Sequence, residues 1–96
     1  MVIAVASEWG ENFSRYAFFR VENGRMKERE IIPVPAGGVE ELAKQLIGLE
    51  ADILIAPKLA GDVEQVLMES GVNVISGIVG KADAVAAAYL NGTLEF

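Results

Sequence analysis

An Asn-Gly pair, Asn23-Gly24, lies between two segments that are typical of β-strands, residues 16–22 and 25–34. Asn-Gly favours a two-residue turn in which both central residues have positive φ, and such turns join antiparallel strands. The second segment carries four consecutive charged residues at 27–30. Charges of this kind are typical of a sheet edge, where they discourage pairing with another chain. The sequence therefore predicts an antiparallel hairpin with its second strand at an edge.

Three short apolar segments, residues 2–6, 52–56 and 72–76, have the length and β-branched content of buried strands. Helical patterns separate and follow them. The first begins at Gly37-Gly38 and runs to about residue 49, and its apolar face consists of Val39, Leu42, Ala43, Leu46 and Ile47. The second begins at Asp62, which with Gln65 resembles a capping box. The third runs from about Lys81 to the Asn91-Gly92 pair.

The predicted element order is β-β-β-α-β-α-β-α, in a single domain over residues 1–96. Right-handed crossovers place strands two and three on one side of strand one, and strands four and five on the other. The expected architecture is α/β, with a five-stranded mixed sheet in the order 3-2-1-4-5, strand two antiparallel, and about three helices. This is the ribonuclease H-like arrangement.

The chain contains neither His nor Cys and has a formal net charge of −6. Disulfides, zinc or iron–sulfur sites built from the chain's own imidazoles or thiolates, and Ser-His-Asp catalysis are therefore excluded. The negative charge argues against nucleic acid as a partner. The apolar segments are shorter than the roughly 18 residues of a membrane span, and the N-terminus lacks a basic segment, so we expect a cytoplasmic protein.

Ligands in open α/β sheets bind beyond the carboxyl ends of parallel strands, where the strand order reverses. That point is predicted between strands one and four, where the loops at residues 7–15, 57–61 and 76–80 meet. The candidate binding residues on these loops are Ser7, Glu8, Asn12, Phe13, Ser14, Arg15 and Lys58. The alternative is that they are ordinary polar loop residues, because the inference uses topology alone. No catalytic residue or metal ligand is assigned.

Three other interpretations concern these loops and the strand that follows the first of them. A two-metal nuclease needs converging acids, but Asp52 begins strand four and is expected at the opposite edge from Glu8. A phosphate site in the first loop is opposed by the charges of Glu8 and Glu11. The aromatic residues around strand two fit core packing, although Trp9 in the polar loop is a candidate anchor for a ligand or partner.

Four segments carry a resemblance to a known family: the start MVIAVASE, the loop ENFSR at 11–15, the strand YAFF at 16–19 with its turn VENG, and the ending AVAAAYLNG at 84–92. Together they resemble the dinitrogenase iron-molybdenum cofactor biosynthesis family, collinearly over nearly the whole chain. The resemblance implies a ribonuclease H-like fold, in agreement with the element order. Nitrogen-fixation members of the family bind or carry iron-molybdenum cofactor or its precursor cluster.

The chain also departs from this family. Asn12, Ser14 and Tyr16 stand where the family commonly has His, Gly and Cys. Amide and phenol groups are poor ligands for iron, whereas Arg15 and Lys58 could pair with an anionic ligand. The resemblance implies a non-enzymatic carrier of a small ligand or an iron-molybdenum or iron–sulfur cluster, with cluster-assembly or carrier proteins as partners. The alternative is a protein-interaction module that has lost the cluster site and forms a homodimer through a strand edge or Trp9.

Overall fold

A computed structural model of the chain describes residues 1–10 and 13–94. The described residues form five strands and three helices in the predicted order. The elements are β1 (Val2–Val5), β2 (Arg15–Glu22), β3 (Arg25–Pro33), α1 (Val39–Gly48), β4 (Ile53–Ile55), α2 (Gly61–Glu69), β5 (Asn73–Ile75) and α3 (Ala82–Leu90).

The strands form one sheet in the order β3-β2-β1-β4-β5. β2 is antiparallel to both β1 and β3, and β4 is parallel to β1 and β5. In the central register, Ala4 of β1 is paired with Phe18 of β2 and Leu54 of β4. The predicted strand order is therefore confirmed, and the strand order reverses between β1 and β4.

The hairpin turn also has the predicted geometry. Asn23 has φ of 52° and Gly24 has φ of 76°. These left-handed values match the right-handed twist of the flanking strands, which explains why the sequence places Asn and Gly there. The charged residues of β3 are exposed at the edge of the sheet.

Alternation along the strands creates two hydrophobic layers, one on each face of the sheet. Ile3 and Val5 of β1 face α3, where Val85 and Ala86 cover them. Ala4 lies on the other face, which α1 and α2 cover with a set that includes Leu42, Leu46 and Leu67. The two layers together bury the central strand β1 on both faces.

Three predicted details are wrong. α2 begins at Gly61 with Ala60 as its N-cap, so Asp62 already lies within the helix. Gln65 does not complete a capping box, because its side-chain amide donates a hydrogen bond to Glu69 at 3.0 Å. Ile47 was placed on the buried face of α1, but 51% of it is exposed. β5 was expected to be buried, yet Asn73 is exposed because β5 is an edge strand.

Candidate functional site

A cleft of about 630 Å³ opens at the carboxyl ends of β1 and β4, where the strand order reverses. We call it the switch-point cleft. Three loops supply its walls, one each after β1, β4 and β5. The lining residues are Ser7, Glu8, Gly10, Pro57, Lys58, Gly77, Val79, Gly80 and Lys81. Three of the sequence-predicted site residues, Ser7, Glu8 and Lys58, are thus brought together.

Ser7 and Glu8 connect the loop after β1 to the start of α3. Ser7 is 2% exposed, and its hydroxyl donates to the carbonyl of Gly80 at 2.8 Å. The Glu8 carboxylate accepts a hydrogen bond from the backbone N–H of Ala82 at 2.8 Å. Ala82 is the first residue of α3, whose N-terminal N–H groups lack intrahelical acceptors. Both side chains therefore serve first to build the cleft wall.

Lys58 follows β4, and Lys81 is the N-cap residue of α3. Both line the cleft and both are exposed. The lining thus carries two ammonium groups against the single carboxylate of Glu8, which accepts the Ala82 N–H, and this excess of positive charge favours an anionic ligand. Sequence reasoning missed Lys81. The sequence could have indicated Lys81, because it lies in the loop after β5. The carboxyl end of β5 is on the same side of the sheet as the carboxyl end of β1.

Phe13, Ser14 and Arg15 lie outside the lining of the switch-point cleft. Phe13 lines a second groove, and Ser14 is exposed while its carbonyl accepts the N–H of Val34 at 2.9 Å. Arg15 begins β2, and its guanidinium carbon lies 5.9 Å from the centre of the Trp9 ring, within the range of a cation–π contact. Asn12 lies outside the described residues.

The sequence predicts Trp9 as a candidate anchor for a ligand or partner. In the structure its side chain mainly packs within the molecule. It is half-buried and packs against the hydrophobic layer beneath α3. The Arg15 guanidinium lies over its ring. Most of its apolar surface is therefore already used within the molecule.

The second groove, which we call the apolar groove, has a volume of about 500 Å³. It lies where α1 and α2 begin, on the face of the sheet that these helices cover. Its lining residues are Phe13, Val34, Gly38, Val39, Leu42, Lys58, Leu59, Ala60 and Val63. Lys58 lines both cavities, so the switch-point cleft and the apolar groove share one cation.

Tyr16, at the position where the resembled family has Cys, is fully buried. Its hydroxyl donates to Oε1 of Gln45 at 2.7 Å, and Nε2 of Gln45 donates to the carbonyl of Pro33 at 3.2 Å. Burial raises the pKa of Tyr16 to about 12, because the phenolate would lose its hydration. Tyr16 is thus a neutral phenol that joins β2 to α1.

The acidic residues that the structure describes are dispersed. Asp52 lies at the amino end of β4, on the opposite side of the sheet from the cleft, as predicted. Its carboxylate accepts a hydrogen bond from the backbone N–H of Val2 at 2.7 Å. Across residues 1–10 and 13–94, acidic side chains do not gather in groups of three or more that could hold a metal ion. Among the described residues, no helix is both long enough and apolar enough to cross a membrane.

Three solved structures share the fold along most of this chain. The crystal structure of PH0822 matches with a TM-score of 0.86 and 19% identity, covering 100% of this chain and 94% of that one. A protein from Methanocaldococcus jannaschii, MJ0327, described as a "putative dinitrogenase", matches with a TM-score of 0.75 and 12% identity, covering 99% and 92%. The fowlpox virus Holliday junction resolvase matches with a TM-score of 0.50 and 19% identity, covering 93% and 71%.

At these identities the three likenesses establish the fold, and the resolvase match agrees with a ribonuclease H-like arrangement. No family model matches the chain, and no curated protein does.

Proposed function

We propose that this protein is a non-enzymatic binding domain that holds a small anionic ligand in the switch-point cleft. The observation that carries the proposal is the placement of Lys58 and Lys81 on two loops that meet at the carboxyl ends of the parallel strands. Ligands of open α/β sheets bind at this point, and two ammonium groups favour a ligand of negative charge.

We propose further that the chain belongs to the dinitrogenase iron-molybdenum cofactor biosynthesis family. Two lines support this assignment: the collinear sequence resemblance, and the fold shared with MJ0327. On this proposal the ligand is a metal cluster carried as cargo, the partners are cluster-assembly or carrier proteins, and the protein acts in the cytoplasm.

The side chains at the cleft do not suit direct coordination of such a cluster. The chain has no thiolate or imidazole to offer. The Ser7 hydroxyl donates a hydrogen bond to the carbonyl of Gly80, and the Glu8 carboxylate already accepts one from the backbone N–H of Ala82. Iron in sulfur clusters prefers thiolate ligands. A cluster held here would therefore be bound by charge and hydrogen bonds around its periphery.

The test is an anaerobic titration of the protein with isolated iron-molybdenum cofactor, followed by absorbance and EPR. We expect saturable binding in the micromolar range, weakened at least tenfold in the Lys58→Ala, Lys81→Ala double variant. The Arg25→Ala, Lys27→Ala double variant is the matched two-charge control, because both side chains are exposed on β3, which lies on the far side of β1 from β4. Lack of binding at tens of micromolar would contradict the carrier role.

The non-enzymatic assignment has its own test. A hydrolase at this cleft would need Glu8 with a borrowed divalent metal, whereas Glu8 accepts the N–H of Ala82. We expect no turnover of phosphodiester substrates with Mg²⁺ or Mn²⁺. Metal-dependent turnover that disappears in Glu8→Gln would instead establish an enzyme.

A protein-interaction module is the second candidate function, and the observation that favours it is Val79. This side chain is 84% exposed on the loop after β5, at the mouth of the cleft. Removing this apolar side chain from water would be favourable, so Val79 suits an anchor at a contact with a second copy or another protein. Sedimentation should show a concentration-dependent dimer that Val79→Asp abolishes, whereas a strictly monomeric wild-type protein would count against the homodimer.

A further inference from the structure

We infer that the apolar groove is a second binding site, for an organic carboxylate with an aliphatic tail. The inference rests on the groove's own lining and goes beyond the proposed ligand of the switch-point cleft. The tail would lie among the apolar side chains, and the carboxylate would pair with Lys58.

The first step is the exposed apolar surface of the groove. Its side chains Phe13, Val34, Val39, Leu59 and Val63 are only partly buried, although they pack against the hydrophobic layer beneath α1 and α2. They converge from the loop after β1, the segment after β3, the first turns of both helices and the loop after β4. A contiguous apolar surface in water carries a free-energy cost that a hydrocarbon chain would relieve.

The second step is the size and polarity of the groove. Its volume of about 500 Å³ lies within the range of small-molecule sites, roughly 300–1,000 Å³. Such sites pair an apolar lining with a few polar groups that fix orientation. Lys58 is the charged side chain in the lining, so a ligand that satisfies both properties has one anionic head and one apolar tail.

The third step assigns the charge recognition to Lys58 and not to the helix ends. α1 and α2 both begin at the groove, and their N-cap residues Gly38 and Ala60 make no side-chain capping bond. However, each first turn carries two acidic residues, which offset the positive ends of the helix dipoles. Lys58 therefore supplies the attraction for the carboxylate.

The experiment is a calorimetric titration of the protein with butanoate, hexanoate, octanoate and decanoate below their aggregation concentrations. Burial of each added methylene should lower Kd about fourfold until the groove is filled. Octanamide, which keeps the tail and lacks the charge, should bind at least fivefold more weakly than octanoate, and Lys58→Ala should remove that difference. Affinity independent of chain length, or equal affinity for the amide, would overturn the inference.

Matched variants locate the site. Val63→Asp places a charge in the groove and should weaken octanoate binding at least tenfold, whereas Met68→Asp adds the same charge at a position of α2 that is 57% exposed and should change it less than twofold. Circular dichroism establishes that each variant is folded, and Leu59→Ser replaces Val63→Asp if the latter is not. Equal binding by the groove and control variants would refute the site.

Lys81→Ala separates this inference from the proposed function. Lys81 lines the switch-point cleft but not the apolar groove, whereas Lys58 lines both cavities. We expect octanoate affinity to be unchanged in Lys81→Ala while binding of the cofactor in the cleft is weakened. If octanoate binding also depends on Lys81, the tail lies in the cleft and the groove assignment is wrong. Failure of the cofactor titration alone leaves the groove prediction standing on its own result.

Discussion

The Glu8 carboxylate accepts a hydrogen bond from the backbone N–H of Ala82, at 2.8 Å across 74 residues of sequence. This contact joins the loop after β1 to the first residue of α3. A carboxylate at a helix N-terminus satisfies an N–H without an intrahelical partner and interacts favourably with the helix dipole. Glu8 therefore has a structural role at the cleft that its position in the sequence does not reveal.

Glu8→Ala should lower the free energy of unfolding by about 1–2 kcal/mol, since it removes both the acceptor and the charge. Glu8→Gln keeps an acceptor and should cost about 0.3–1 kcal/mol. Urea denaturation measures both values. Glu30→Gln, on the exposed surface of β3, is the control and should stay within about 0.5 kcal/mol of wild type. A Glu8→Ala protein as stable as this control would show that the contact does not stabilise the fold.

Tyr16→Phe should destabilise the protein at pH 7 by about 1 kcal/mol. The variant loses the hydrogen bond to Gln45 and leaves a half-buried amide oxygen without that donor. Tyr89→Phe, at a half-buried position of α3, is the matched control and should have a smaller effect. Equal losses in the two variants would contradict a specific role for the Tyr16–Gln45 bond.

Stability should also depend on pH through Tyr16. Burial raises the pKa of Tyr16 in the folded protein to about 12, from 10.0 for an unperturbed phenol. The unfolded chain therefore loses this proton first as the pH rises, and the contribution of the neutral buried phenol is complete below pH 10 and declines towards pH 12. Between pH 9 and pH 12 the free energy of unfolding of wild type should fall relative to that of Tyr16→Phe by up to about 2 kcal/mol, measured by urea denaturation. The advantage of about 1 kcal/mol that wild type has at pH 7 should therefore reverse at the alkaline end of this range. A constant difference over that range would show that Tyr16 ionises equally in both states.

Two glycine substitutions should act in opposite directions. Gly24→Ala places a Cβ at φ of 76° in the hairpin turn and should cost about 1–2 kcal/mol. Gly48→Ala lies at the end of α1, where a Cβ meets nothing within 4 Å, and should stabilise by up to about 1 kcal/mol. Thermal and urea unfolding measure the change in the free energy of unfolding for each variant. Destabilisation by Gly48→Ala would indicate that the end of α1 is less regular than described.

The strand order could be predicted because few arrangements of five strands are compatible with the element order of this sequence. The Asn23-Gly24 turn restricts β2 and β3 to an antiparallel hairpin, and right-handed crossovers then fix where β4 and β5 pair. Helix starts are less determined, because several neighbouring residues can act as N-cap. Asp62 has a suitable side chain, but the chain after β4 already turns into the helix at Gly61.

The site could be predicted only in part, for a related physical reason. The sheet itself brings together Ser7, Glu8 and Lys58, because they follow the parallel strands β1 and β4 and so lie at the same end of the sheet. Arg15 belongs to the same edge, yet its contact with Trp9 depends on the path of the connecting loop. Loop paths follow from long-range contacts such as the Ser7–Gly80 bond, and residues 73 positions apart give no local signal of such a contact.

That bond leads to a prediction about Ser7→Ala. The variant removes the hydroxyl that donates to the Gly80 carbonyl at 2.8 Å, and leaves that carbonyl without its donor beside a buried position. We expect a loss of about 1 kcal/mol in the free energy of unfolding. Ser70→Ala is the control, because the carbonyl of Val66 that Ser70 Oγ contacts also accepts the backbone N–H of Ser70 and so keeps a donor. Its loss should stay below about 0.5 kcal/mol. Equal losses in the two variants, measured by urea denaturation, would show that the Ser7–Gly80 bond does not fix the loop that carries Gly80 and Lys81.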